Sequence, residues 1–393
     1  MAGPLAGIRI VDLSAVISGP LATMLLADQG AEVIKVEPRV GDITRYGGFM
    51  HGGLSAFFAN ANRGKRSLAV DLDQPAGREI VLRLVARADV FVQNFRPGAV
   101  ERMGLAESDL RKLRPDLIYV SISGFGESGP YANQRVYDPI IQGLTGNIAV
   151  QRHHQTGERD LVRNIVCDKS SAYTAAQAIT AALFARERGA GGQHVRVAML
   201  DASLAFFWPD GMLRHTFPGD ASAPGVTLYE FYRLADTADG QILVFAASDV
   251  EFAGFCRAIG RPELADDPRF KTLPDRLQNA AALLVLQKDE LRKHASGVLL
   301  ERLVAEGVPC GPVLELEQVL ADPQIAANGA IIESVHPHAG PMRQPRPPAR
   351  FDRTPAVAGS PAPLLGEHSE AILVELGYGE SERAELRRGG TVN

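Results

Sequence analysis

Asp168 stands where a polar, turn-rich run ends and a long alanine-rich stretch begins. A carboxylate at such a join can cap the helix that the alanines imply. It can also attack an acyl carbon and carry a covalent intermediate. A helix amino terminus favours the ionised nucleophile through its dipole and free N–H groups. The neighbouring Cys167 is a second nucleophile by type, but no specific base is indicated, and a small buried residue is its expected role. His153 and His154 lie in a polar loop and are read as exposed. A second group of residues falls at the ends of apolar runs: Glu37 with Arg39, Asn94 with Phe95 and Arg96, and Ser121 with Ser123. Cations, an amide and an aromatic ring at strand ends suit an anionic ligand bearing a flat ring; solvated loop charges are the plain alternative.

Those residues need strands and helices to position them. An apolar run at residues 8–13 predicts a buried strand, Gly19 and Pro20 open a helix that Gly30 closes, and residues 31–37 form a second strand. Strand, helix and strand make a βαβ unit and hence a parallel sheet. Glu37 ends the second strand where a ribose-binding acid would sit, yet the preceding turn lacks the dinucleotide glycine pattern. Gly124, Gly126 and Gly129 match that pattern later, but no clean helix follows, so a glycine-rich turn is expected there. Further strands are predicted at 68–72, 89–94 and 117–121, with helices at 75–87, to about 105, and at 108–113. After Asp168 a helix runs through Ala172, Ala175, Ala176, Ile179, Ala182 and Leu183 at helical period, whose many alanines imply close approach to a neighbouring element, and a strand follows at 194–200. The expectation is an α/β fold: a Rossmann-like large domain with a parallel sheet, first segment 1–224.

The texture changes near Gly225. Strands at 229–234 and 241–246 around a turn at 237–240, then helices at 250–259, 278–295 and 297–306, predict a smaller α+β domain over 225–325. The remaining tail holds an extended proline-rich stretch at 341–363 and a short helix at 367–376.

The chain has 393 residues, a formal net charge of -5 and no long basic block, which argues against nucleic acid or an anionic membrane as partner. Its three cysteines, Cys167, Cys256 and Cys310, are far apart and lack zinc-ligand spacing. No metal site, signal peptide or membrane span is expected, and a cytoplasmic location is.

Several stretches coincide with one family: residues 7–12, Gly19 and Pro20, 26–37, 62–65, Asn94 through Gly98, Arg102 through Gly104, 123–126, Gly129 and Pro130, Tyr137 and Asp138, and Gly192 and Gln193. In their order and spacing the chain resembles the family III CoA-transferases, the group that also holds the acyl-CoA racemases. The resemblance implies an interlocked homodimer, a tail (residues 326–393) that returns to complete the large domain, a CoA thioester as substrate with no permanently bound cofactor, an acyl-CoA donor and a carboxylic acid acceptor. It makes Asp168 the catalytic aspartate. It places CoA contacts at Val16, Ile17 and Ser18, at Val70, Asp71, Leu72 and Asp73, at Asn94, Phe95 and Arg96, at Ala99, Arg102 and Met103, and at Arg135 and Tyr137. Arg96, Arg102 and Arg135 could meet the phosphates of CoA. The family's early phosphate-binding arginine falls on Pro38, leaving Arg39 next door as a substitute.

The expected activity is acyl-CoA:carboxylate CoA transfer through aspartyl anhydride and thioester intermediates. Racemisation by α-proton transfer is the alternative within the family. Racemases resemble one another in a histidine where this chain has Tyr137, and a tyrosine, with a pKa of about 10, is a poor base. A protein that binds CoA esters without turnover is the alternative outside catalysis. Members acting on formyl-CoA and oxalate carry a glycine-rich loop where residues 218–225 here hold two glycines, which disfavours that pair.

Overall fold

The computed structural model describes residues 3–153, 156–219 and 227–393. His154 and most of the 218–225 stretch lie outside the described residues. The chain divides into two compact units, Met1–Ala221 with Asn328–Asn393, and Ser222–Ala327.

The larger unit is built on a six-stranded sheet. Its strands are β1 (Arg9–Asp12), β2 (Glu32–Glu37), β3 (Lys65–Ala69), β4 (Val90–Gln93), β5 (Ile118–Ser123) and β6 (His194–Ala198). They run in the order β3-β2-β1-β4-β5-β6, and every neighbouring pair is parallel. The order reverses between β1 and β4, and in open sheets of this kind ligands bind outside the carboxyl ends at that point.

Parallel strands buried on both faces need apolar layers on each side. On one face, α1 (Ser18–Ala27) and α6 (Val166–Ala185) cover the sheet. Ala22, Leu26 and Ala27 of α1 share a core with Ala172, Ala175, Ala176 and Ile179 of α6, so the alanine stripe does permit close packing. On the other face lie α2 (Pro75–Val85), α3 (Ala99–Arg102) and α4 (Glu107–Leu113). Beyond β5 the chain enters α5 (Asp138–Thr145), and beyond β6 it enters α7 (Met199–Gly211). Gly126 and Gly129 take positive φ in a turn and no helix begins there until Asp138, in keeping with a glycine-rich turn.

The third strand begins and ends earlier than expected. Gly64 turns the chain with φ 73°, and strand pairing starts at Lys65, whose side chain is buried on Asp12. Val70 leaves the sheet to bridge Val392 in an antiparallel sense. The tail also gains a hairpin, Ile331–His336 with Gly340–Pro345, and a last helix, Glu380–Arg388, beyond the expected Ser369–Glu375.

In the smaller unit, Ala235–Asp236 and Cys310–Pro312 flank Gln241–Val244 in an antiparallel three-stranded sheet. The turn is as expected, with Thr237 N–H bonded to Gly240 O. The strand at 229–234 is not formed: Leu228–Glu230 is a short 3-10 turn, and Tyr232 and Leu234 are exposed rather than alternating against a partner. Helices Asp249–Ala258, Ala280–Leu291 and Ser296–Ala305 supply the remaining core.

Candidate active site

Asp168 does not cap its helix. It is the third residue of α6, whose N-cap is Ile165 with no side-chain capping bond. The capping is done by Asp138, the first residue of α5: its Oδ2 accepts from the N–H groups of Cys167 at 2.7 Å and Asp168 at 3.0 Å. One carboxylate therefore satisfies two orphan donors of a helix 30 residues away in the chain. Gln142 fixes it there, donating to Asp138 Oδ1 at 2.6 Å while its own amide oxygen accepts from Val162 N–H at 3.0 Å.

This arrangement frees the Asp168 carboxylate. The residue is 9% exposed, and the backbone N–H of Ser18, at the start of α1, faces its oxygens. Burial, with the like charge of Asp138 added, raises its pKa to about 6, and the Ser18 N–H pulls the other way. The helix terminus was expected to favour the ionised Asp168; burial wins instead, because Asp138 already occupies the N–H groups that would have stabilised the charge. A carboxylate with a pKa of about 6 is still mostly ionised near neutrality and is more nucleophilic than an ordinary one. Burial pushes the Cys167 thiol up to about 11, with Asp138 and Asp168 adding to the effect, so the thiolate is not available beside it.

Ser18 is held by the loop that leaves β1 at the point where the strand order reverses. Five polar backbone groups of that loop are tied by side chains. Asp12 accepts from Ser14 N–H, Lys35 Nζ donates to Ser14 O at 2.8 Å, Asn94 bonds both Ala15 N–H and Ala15 O, and Asp42 accepts from Val16 N–H. Asn94 thus bridges β4 to the β1 loop across the crevice. Val16 has φ 68° and is the only non-glycine among the described residues with positive φ. For a β-branched side chain that is a strained conformation.

The residues expected to contact CoA follow the carboxyl ends of β1, β3, β4 and β5 along the chain. Leu72, Phe95 and Met103 are partly buried against the core beneath α2 and α3. Arg96, Arg102 and Arg135 are exposed, and none forms an ion pair with another described residue. Ala99 opens α3 next to them, and Tyr137 precedes α5 with 66% of its surface exposed. Val70, Asp71 and Asp73 follow β3, where Asp71 N–H donates to Thr391 O. Arg39 lies against the chain's last residues, its Nε donating to Asn393 Oδ1 at 3.0 Å. Glu37 and Ser121 are not free for a ligand: Arg45 and Ser67 bond the Glu37 carboxylate, and Gln93 and His194 bond the Ser121 hydroxyl. A cavity of about 400 Å³, lined by Arg9, Glu32, Arg66, Arg87 and Glu375 among others, opens at the amino ends of the strands, away from Asp168.

Asp138, Gln142, Lys35 and Asp42 were given no role from sequence. Two signals were present. Asp138 with Pro139 is a helix start, and Lys35 interrupts the apolar run from Val33 to Val36 of an interior strand, where a charge needs a partner.

A doubly wound parallel sheet, a buried carboxylate beside the start of α1, and exposed arginines in the loops after its strands define an α/β protein with a candidate site at the carboxyl ends of its sheet. The model of CoA-transferase family III matches residues 5–369. The human succinyl-CoA:glutarate CoA-transferase is 33% identical over 99% of this chain and 90% of its own length. The succinate–glutarate CoA-transferase of Agrobacterium fabrum is 36% identical over 95% and 96%. A CAIB/BAIF family protein from Brucella suis superposes with a TM-score of 0.82 at 34% identity, covering 96% of this chain and 100% of that one. The chain belongs to CoA-transferase family III, and it is a CoA-transferase.

Proposed function

We propose that the protein moves CoA from an acyl-CoA donor to a carboxylic acid acceptor through covalent intermediates on Asp168. The observation that carries this reading is the division of labour between two carboxylates: Asp138 takes the helix N–H groups, leaving Asp168 buried with its carboxylate facing the Ser18 N–H. In the first step a carboxylate oxygen of Asp168 attacks the thioester carbonyl and the C–S bond breaks. A mixed anhydride and a CoA thiolate result. The thiolate attacks the aspartyl carbonyl, expels the donor acid as its carboxylate and leaves an aspartyl thioester. The acceptor carboxylate attacks that thioester to give a second anhydride and thiolate. Attack of the thiolate on the acceptor's carbonyl forms the new acyl-CoA and returns the Asp168 carboxylate.

Arg96, Arg102, Arg135 and Arg39 supply cations for the phosphates, Phe95 and Tyr137 rings for the adenine, and Val16, Ile17, Val70, Asp71, Leu72, Asp73, Ala99 and Met103 the walls. Asn94 acts chiefly on the protein, through Ala15. Proton transfer at an α-carbon would need a second free base; Asp138, the other carboxylate here, is engaged by two N–H groups and Gln142. The donor and acceptor pair named for the relatives, succinyl-CoA and glutarate, is the first to try. A homodimer completes the proposal, with exposed Phe49, Phe184 and Phe206 as surface to cover, and light scattering as its check.

The test is exchange of CoA between succinyl-CoA and labelled glutarate, followed by a screen of small acids. Asp168→Ala is expected to lower exchange at least about 1,000-fold while leaving acyl-CoA binding in place. Full exchange by that variant would refute the nucleophile.

A further inference from the structure

We infer that Lys35 and Asp42 are positioning residues for the transfer reaction: together they hold the turn at Val16 in its positive-φ conformation and so keep the Ser18 N–H aimed at Asp168. The inference rests on Asp168 being the nucleophile.

Lys35 is 0% exposed and Asp42 3%. Their ion pair, Nζ to Oδ2 at 3.1 Å, lies under the β1 loop and both partners reach into it, Lys35 to Ser14 O and Asp42 to Val16 N–H at 3.1 Å. Asp42 is itself fixed from three sides. Thr44 donates N–H and Oγ1 to its Oδ1 at 3.0 and 2.8 Å, and its own N–H is held by Glu37 at 3.1 Å. A buried ion pair is a poor device for stability alone, since two apolar residues would serve as well. This one is joined to the single strained non-glycine among the described residues, two positions before the N–H that faces Asp168. Strain persists only where the surroundings impose it. Left to itself, Val16 would return to negative φ and turn the start of α1.

The chemistry shows what the turn achieves. Each intermediate passes through a tetrahedral oxyanion on an acyl carbon next to Asp168 or on its own carboxyl carbon. The Ser18 N–H at the start of α1 is the donor the loop places beside Asp168, and a donor must be fixed beforehand to be effective. Small displacements of a positioned donor are costly in rate.

Asp42→Asn keeps the shape and removes the charge that holds both Lys35 and Val16. Turnover in exchange is expected to fall at least about tenfold, with the KM for acyl-CoA within about twofold. The pH midpoint for turnover should move up, because the Ser18 N–H no longer favours the ionised Asp168. Simple removal of a negative charge near the site would move it down. Val16→Gly placed on Asp42→Asn should restore turnover at least about threefold, since glycine takes positive φ without strain. Thr44→Val loosens Asp42 more gently and should show the same loss and the same recovery, which keeps the test open should Asp42→Asn fail to fold. A purely structural pair would lower thermal stability, leave turnover per folded molecule unchanged and show no recovery with Val16→Gly, and that result overturns the inference. Asp168→Ala separates the two readings: its retaining exchange removes the nucleophile itself, whereas loss there with full turnover in Asp42→Asn and Thr44→Val removes only the clamp.

Discussion

Asp168 joins two opposing demands, and their balance is measurable. A carboxylate inside the protein is harder to ionise than in water, which is why its pKa rises from 3.8 to about 6. The ionised form is the one that attacks a thioester, so exchange should increase through about pH 6 and level off above it. The same shift burdens the fold. Below pH 3.8 the carboxyl is protonated whether the chain is folded or not. Between 3.8 and about 6 the unfolded chain ionises first, so stability falls as pH rises, and above about 6 the cost is complete. At about 1.4 kcal/mol per pH unit this is on the order of 3 kcal/mol. Asp168→Asn should therefore be more stable than the natural chain by up to about that amount at pH 8, a gap that closes toward pH 4, as urea denaturation would show. Equal stability at pH 8 would mean that the carboxylate is better solvated than its burial implies.

The helix that carries Asp168 owes its place to an element distant in sequence. Asp138→Ala leaves two N–H groups at the start of α6 without their acceptor, a loss of about 1–3 kcal/mol. It also removes the like charge that raises Asp168, so the pH midpoint of exchange should shift downward as the thermal midpoint falls. An unmoved pH profile would show that the two carboxylates do not interact. The alanine period made α6 legible, because a stripe of small residues has few other meanings. The parallel sheet was legible from alternating apolar runs and turn residues. What escaped was the cap: a capping residue is sought next to the helix, and here it reaches in from another one. The clamp on Val16 escaped for a related reason. Nothing at residue 16 calls for positive φ; that comes from Asp42, Asn94 and Lys35, which converge on the loop only in the folded chain.

Across the larger unit, the last residues of the chain pack against the parallel sheet. Ile372, Leu373, Leu376, Tyr378 and Val392 lie in one core with Val36, Leu68 and Val70, and Ser369 Oγ accepts from Ala69 N–H. A chain ended after residue 360 exposes that face of β2 and β3. At about 1.5–3 kcal/mol for each large apolar side chain, the loss exceeds what most domains can spare. Such a truncation should fail to unfold cooperatively in calorimetry; a sharp transition near the natural midpoint would contradict the shared core. The prolines and short helix of the tail were legible in the sequence; its return to the larger unit was what the family resemblance implied. The Val70 bridge to Val392 and the Arg39 contact with Asn393 were not legible, since neither partner carries a signal of its own. The smaller unit was read correctly at its hairpin turn and helices but not at 229–234, where aromatic residues suggested a strand and the chain leaves them exposed.

The covalent role of Asp168 is tested most directly by trapping it. Protein incubated with succinyl-CoA and then hydroxylamine, digested and examined by mass spectrometry, should carry a hydroxamate on the peptide containing Asp168. The mark should depend on the CoA ester and be lost in Asp168→Ala. An unmodified Asp168 peptide from protein that is actively exchanging CoA, or a mark on another residue such as Cys167, would contradict the mechanism.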